Sequence, residues 1–129
     1  MFTIEQIRAA HSKVRSGADF PAYIQDIKAL GVTHYVAFVT DGHVDYHGAN
    51  QFTVSKPASE EARPVADLAR EEAFRAALAA HQQGKTDYAR FILDCAENGI
   101  EKWEVSLLEM TCTYFDKAGR KILTEEIPQ

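Results

Sequence analysis

The strongest constraint on how this chain can fold is that one stretch of it is written twice. Asp19-Phe20-Pro21-Ala22-Tyr23-Ile24-Gln25-Asp26 leads to Gly31-Val32 and then Tyr35. Starting 68 positions later, Asp87-Tyr88-Ala89-Arg90-Phe91-Ile92-Leu93-Asp94 leads to Gly99-Ile100 and then Trp103. Tyr46 and Tyr114 keep the spacing, so residues 19–46 and 87–114 align without a gap.

Ile4, Ile7, Ala10, His11 and Val14 recur at helical spacing, with Thr3 placed to cap and Gly17 to stop, which predicts an amphipathic helix over residues 3–16. Asp19 is expected to cap a second helix by accepting a backbone N–H, and Pro21 is tolerated in a first turn whose N–H groups lack internal partners. Phe20, Tyr23, Ile24, Ile27 and Leu30 give that helix one apolar stripe, and Gly31 its exit. From Val32 the period becomes two. Asp41-Gly42 between β-rich runs predicts a two-residue type I′ hairpin pairing Thr40 with His43, Val39 with Val44, Ala37 with Tyr46 and Val36 with His47. One face is then Tyr35, Ala37, Val39, Val44 and Tyr46, expected in the core; the other carries His34, Val36, Phe38, Thr40, His43, Asp45 and His47. A third strand is expected over residues 51–54.

Residues 55–61 alone have linker composition, which makes 55–63 the connection between a first unit at 3–54 and a second at 64–128. Pro64 is expected to open the longest helix, running to about Gln83. Asp87 or Thr86 should cap the next, striped by Tyr88, Phe91, Ile92 and Cys95 and left at Gly99. Trp103, Val105 and Leu107 then repeat the core positions of Tyr35, Ala37 and Val39. Glu109-Met110 replaces Asp41-Gly42 and predicts a bulge or a slacker turn. Asp116-Lys117-Ala118-Gly119 predicts a type I turn closed by a left-handed glycine, before a last strand over residues 120–127. Two helix-helix-strand-strand-strand units give an α+β fold, a two-layer sandwich with an antiparallel sheet covered on one face by helices.

At 129 residues the chain suits one domain able to bury roughly two thirds of its unfolded surface. A net charge of −5 and a pI near 5.5 argue against affinity gained by neutralising phosphates, so no nucleic-acid partner is expected. Met1-Phe2-Thr3-Ile4-Glu5 lacks the basic flank and apolar run of a signal peptide, and no apolar stretch matches a bilayer's thickness; a cytoplasmic protein without a membrane partner is expected. Cys95 and Cys112 lack the paired spacing of a zinc site and read as reduced, buried fillers.

The outer face of the first hairpin carries the sharpest chemistry. Alternate strand residues project the same way, so His34, His43 and His47 with Asp45 could share zinc or another divalent ion. Against this, Val36 and Phe38 lie among them, and the second unit has Lys102, Thr111, Thr113 and Phe115 in the corresponding places. A polar, partly exposed face with no cofactor is therefore the preferred reading. If the protein leaves that face uncovered, Val36 and Phe38 make an apolar patch with a histidine rim, which marks an interface and points to a homodimer sensitive to pH near 6 to 7. Tyr35 and Trp103, on the core side, either line a cleft between the units or fill the core. Cys112 sits mid-strand with nothing adjacent to activate it. No Gly-rich phosphate loop and no H-E-x-x-H helix is present, so an enzyme is not the preferred reading.

Gly31-Val32 with Tyr35, Phe38, Asp41-Gly42 and Tyr46, then Gly99-Ile100-Glu101-Lys102-Trp103, Met110-Thr111-Cys112-Thr113-Tyr114 and the ending Glu126-Ile127-Pro128, together resemble a family of short uncharacterised bacterial proteins. Some of its members are labelled phage envelope protein-like. The resemblance covers nearly the whole chain and implies a cytoplasmic, bacterial or prophage-derived protein of two-layer α+β fold; it brings no activity, cofactor or catalytic set. Ser106 departs from the acidic residue expected between Trp103 and Met110. The functional expectation is a non-enzymatic interaction or small-ligand-binding protein acting as a homodimer through the hairpin face or the inter-unit groove. The alternatives are a metal-dependent enzyme using the histidine cluster and a structural phage component.

Overall fold

The computed structural model describes residues 2–15, 17–58 and 62–127. The first half runs α1 (Ile4–His11), α2 (Phe20–Leu30), β1 (Val32–Phe38), β2 (Val44–Gly48) and β3 (Thr53–Lys56). The second runs α3 (Glu71–Gln82), α4 (Tyr88–Glu97), β4 (Lys102–Ser106), β5 (Thr111–Phe115) and β6 (Lys121–Glu126). All six strands join one antiparallel sheet in the order β3-β2-β1-β4-β5-β6, with β1 and β4 central. Alternation sorts each strand: Tyr35, Ala37, Val44, Tyr46, Trp103, Val105, Cys112 and Tyr114 are buried under the helices, while their neighbours keep partial exposure on the other side. The expected two-layer α+β arrangement is thus what forms. Among the described residues no helix is long and apolar enough to cross a membrane.

Thr3 caps α1 in a capping box with Gln6, but the helix ends at His11 rather than at residue 16. There the Ser12 hydroxyl donates to the Ala9 carbonyl, and Lys13 and Val14 close tighter i→i−3 bonds onto Ala10 and His11. Asp19 does not cap α2. It already has helical backbone angles at the end of a 3-10 turn, Gly17–Asp19, and its carboxylate accepts instead from the Arg15 N–H at 2.9 Å. Asp87 does cap α4, accepting from the Arg90 N–H at 2.8 Å.

The first hairpin departs from the two-residue turn. Its register is Tyr35 opposite Tyr46 and Ala37 opposite Val44, two residues from the expected pairing. The connection is a four-residue loop closed by Phe38 N–H to His43 O and Gly42 N–H to Phe38 O, both 3.0 Å, with Gly42 left-handed at φ +79°. Val39 is drawn out of the hairpin because its N–H donates to Glu101 O at 2.8 Å and its side chain is fully buried. The second hairpin repeats this loop, the slacker of the two expected turns, with Ser106 opposite Thr111. Leu107 N–H donates to Thr33 O, and Met110 takes the left-handed position of Gly42 at φ +57°.

The third strand lies two residues later than expected, after a 3-10 turn over Ala49–Gln51, so Ser55 and Lys56 are strand rather than linker. Residues 59–61 of the expected connection lie outside the described residues. The longest helix starts at Glu71, not at Pro64. Before it, the backbone N–H groups of Arg63, Ala66 and Arg70 are committed to Thr40, Ala96 and Asn98 carbonyls, which holds residues 62–70 as a strap outside helical geometry. The last turn forms as expected, with Gly119 at φ +82° and the Asp116 carboxylate accepting from Ala118 N, Arg120 N and Arg120 Nε.

Candidate functional site

The pleat divides the candidate residues between two sites that share the sheet but not a surface. His34, Val36, Phe38, His43, Asp45 and His47 belong to the open side; Tyr35 and Trp103 belong to the helix side.

On the open side His34 and His47 stand opposite each other on β1 and β2 with their rings stacked, 4.3 Å between centroids and 8° from parallel. Thr33 Oγ1 lies 3.2 Å from His34 Nδ1, and Thr53 Oγ1 lies 3.1 Å from His47 Nδ1. Partial burial, and then the charge of His47, hold His34 below its ordinary pKa, with Glu104 opposing. His43 keeps different company. It stacks on Phe38 at 4.1 Å and places Nδ1 2.6 Å from Asp41 Oδ1. Its backbone N–H and then its ring hold the Asp41 carboxyl below the usual carboxylate range. Asp45 accepts from Ser55 Oγ at 2.7 Å. The three histidines are thus a stacked pair and a separate ring. Among the described residues no three His, Cys, Asp or Glu are grouped to hold a metal ion. Between them lie Val36 and Phe38, both half-buried; half-buried Phe115 lies beyond Lys102 from Phe38, with Lys102 Nζ 5.5 Å over its ring. Beside His34 a depression of about 300 Å³ is lined by Glu104, Ser106, Glu109, Thr113 and Lys121, with Leu108 73% exposed at its edge.

On the helix side, polar-tipped aromatics gather over the central strands. The Tyr35 and Tyr46 rings lie 5.3 Å apart, and the Tyr46 hydroxyl is 3.5 Å from that of Tyr23 on α2. Tyr88, half exposed at the start of α4, stands edge-on to Trp103 at 6.4 Å. Burial pushes the Tyr35 and Tyr114 phenols well above their ordinary pKa, raises Tyr23 and Tyr46, and lifts Tyr88 to about 12. All therefore stay protonated as hydrogen-bond donors at neutral pH. The same cause lifts the Cys112 thiol to about 12 and raises Cys95, leaving both as buried, unreactive free thiols.

No hydrogen bond among the described residues uses the Tyr35 hydroxyl or the Trp103 indole N–H, although these residues are only 5% and 7% exposed. No side-chain polar atom that is sealed from solvent lacks a partner among the described residues, so both tips reach space open to a water-sized molecule. Helical periodicity assigns Tyr23 and Tyr88 only to apolar stripes; the available signal is the choice of tyrosine rather than phenylalanine at both. No curated protein matches the chain. Over residues 8–126 the chain matches the family described as protein of unknown function (DUF1398), and it belongs to that family.

Proposed function

We propose that this is a non-enzymatic interaction protein that works as a homodimer, with the open side of the sheet as its contact surface. The observation that carries this reading is a six-stranded sheet packed under helices on one side and bare on the other, where Val36, Phe38 and Phe115 remain half-buried beside an exposed Leu108. Five inter-strand gaps and strands of about five residues give a footprint of about 24 by 17 Å, roughly 400 Å² per partner, which is the size of a weak, transient interface. A dissociation constant on the order of micromolar is expected.

The net charge of −5 opposes self-association, but the open side is not uniform. Its β1–β3 half carries His34, His43, His47 and Asp45, and its β4–β6 half carries Glu104, Glu109, Glu126, Lys102 and Lys121. A two-fold axis parallel to the strands lays one half over the other, with His34 and His47 at the end that carries Glu109 and Glu126 and His43 at the end that carries Lys102 and Lys121. Association then raises the His34 pKa, so the dimer is strongest below the free-chain value and weakens as pH climbs through the dimer value. Sedimentation equilibrium should show the dissociation constant rising about tenfold from pH 6 to pH 8, the equivalent of one pKa unit. Phe38→Glu, at a half-exposed position, should be monomeric at both. A monomer at 100 μM throughout, or an unperturbed Phe38→Glu dimer, would sink the proposal.

The separation of His43 from the stacked pair weighs against a shared zinc. A stoichiometric metal in the purified protein, lost on His43→Ala, would restore that alternative. A structural phage role would appear in the same runs as assembly beyond the dimer; the cytoplasmic, bacterial setting rests on the sequence resemblance. Equal spacing of the Tyr35–Tyr46 and Trp103–Tyr114 pairs supports descent of the two units from one duplicated ancestor.

A further inference from the structure

We infer that the depression beside His34 on the open side binds a small dipolar ion of the ω-amino-acid class, its ammonium held by Glu104 and Glu109 and its carboxylate by Lys121. The depression forms because short hydroxyl side chains lie among long ones. Ser106 stands opposite Thr111, and Glu104 opposite Thr113, while His34, Glu104, Glu109, Phe115 and Lys121 line the same space of about 300 Å³. That is room for roughly ten water molecules, at the small end of ligand pockets.

The charges around it are unengaged. The side chains of Glu104, Glu109 and Lys121 make no hydrogen bond or ion pair among the described residues, whereas elsewhere on the open side Asp45 holds Ser55 and Asp41 holds His43. His34 adds a third acceptor. The Thr33 hydroxyl has one proton and donates it to His47 O at 3.1 Å, so at 3.2 Å it accepts from His34 Nδ1, and Nε2 carries the lone pair. Acceptors thus gather at one end, where Glu104 also acts on the His34 ring. Lys121 stands at the other, opposite Phe115, and Lys102 over the Phe115 ring adds charge of the same sign. An ammonium fits the first end and a carboxylate the second, each through charge-assisted hydrogen bonds.

The register sets the length of the ligand. Glu104 on β4 and Lys121 on β6 lie two strand spacings apart and two residues apart along the strands, which is about 10 Å and about 7 Å. A diagonal of about 12 Å, shortened by both side chains, suits charges that stand several bonds apart rather than on one carbon. Phe115 borders that diagonal and offers an apolar wall to the methylenes between them.

The full chain is titrated by calorimetry with 6-aminohexanoate, its isomer norleucine, hexylamine and hexanoate. 6-Aminohexanoate should give a saturable heat with a dissociation constant on the order of 1 mM or below, and the other three should bind at least about tenfold more weakly. Glu104→Gln and Lys121→Gln each remove one charge from the surface, so each should keep the wild-type far-UV circular dichroism and weaken 6-aminohexanoate at least about tenfold. No saturable heat, equal binding of norleucine, hexylamine or hexanoate, or wild-type affinity in either variant would each overturn the inference. The depression lies within the proposed dimer surface but does not depend on the dimer. Phe38→Glu, whose substitution lies outside the depression, should therefore bind 6-aminohexanoate at wild-type strength or tighter, and loss of binding there would overturn the inference whatever the state of the dimer.

Discussion

Gly99→Ala tests how the strap before α3 is held. Gly99 ends α4 at φ +80°, and a Cβ built there would lie 2.5 Å from Leu68 O and 2.7 Å from Leu68 C and Ala69 Cα. These are backbone atoms that cannot swing aside, because Ala66 N–H to Ala96 O and Arg70 N–H to Asn98 O, both 2.9 Å, fasten the strap on either side of the contact. Left-handed backbone in a non-glycine residue costs about 1–2 kcal/mol. Forcing a methyl group into a filled space costs about 1–3 kcal/mol more. The sum, about 2–5 kcal/mol, is a large share of the roughly 5–15 kcal/mol that holds a domain folded. Gly84 supplies the control: it has nearly the same φ, +77°, but nothing within 4 Å of its would-be Cβ, so Gly84→Ala should show only the backbone cost. Urea titrations followed by far-UV circular dichroism, with unchanged slopes, give the difference directly. A Gly99→Ala loss within about 0.5 kcal/mol of the Gly84→Ala loss would refute the packing of residues 62–70 against the end of α4.

Met110 is buried and left-handed at φ +57°, so Met110→Gly should be about 1 kcal/mol more stable than Met110→Ala, reversing the usual order, while both fall below the wild type; the same urea assay reads this, and the usual order would contradict it. Burial raises the phenol pKa values above the unfolded-state value near 10, so their contribution is intact below pH 10 and is lost as pH climbs through the folded values, about 12 for Tyr88. Denaturation midpoints should therefore fall between pH 10 and 11.5, and constant midpoints would mean that the phenols ionise as freely as in the unfolded chain.

The core side of the sheet was legible in the chain because parity survives a register error. Moving the first hairpin by two residues leaves Tyr35, Ala37, Val44 and Tyr46 facing the helices, so alternation alone identified them. Element ends were not legible where distant groups decide them. Pro64 is a good local signal for a helix start, but the Thr40, Ala96 and Asn98 carbonyls claim the donors around it. Asp19 is a good local cap, but the Arg15 N–H reaches its carboxylate first. Met110 has the wrong propensity for a left-handed turn position, and long-range bonds at Leu107 and Ile127 impose it all the same.

The same two-residue register decides what the candidate sites are. With the two-residue turn, His47 would face Val36, and the histidines would be loose neighbours on an alternating strand. With the four-residue loop, His47 falls opposite His34 and the rings stack, while on the reverse side Tyr46 falls opposite Tyr35. Residue types and their alternation are local and could be read from the chain; the cross-strand partner depends on where the loop closes. That closure rests on Gly42 at φ +79°, on the Asp41 carboxylate accepting the His43 N–H at 3.0 Å, and on Val39 being drawn toward Glu101. The stacked histidines of the open side and the tyrosine pair of the helix side are therefore two consequences of one turn, set by a contact between the two halves of the chain.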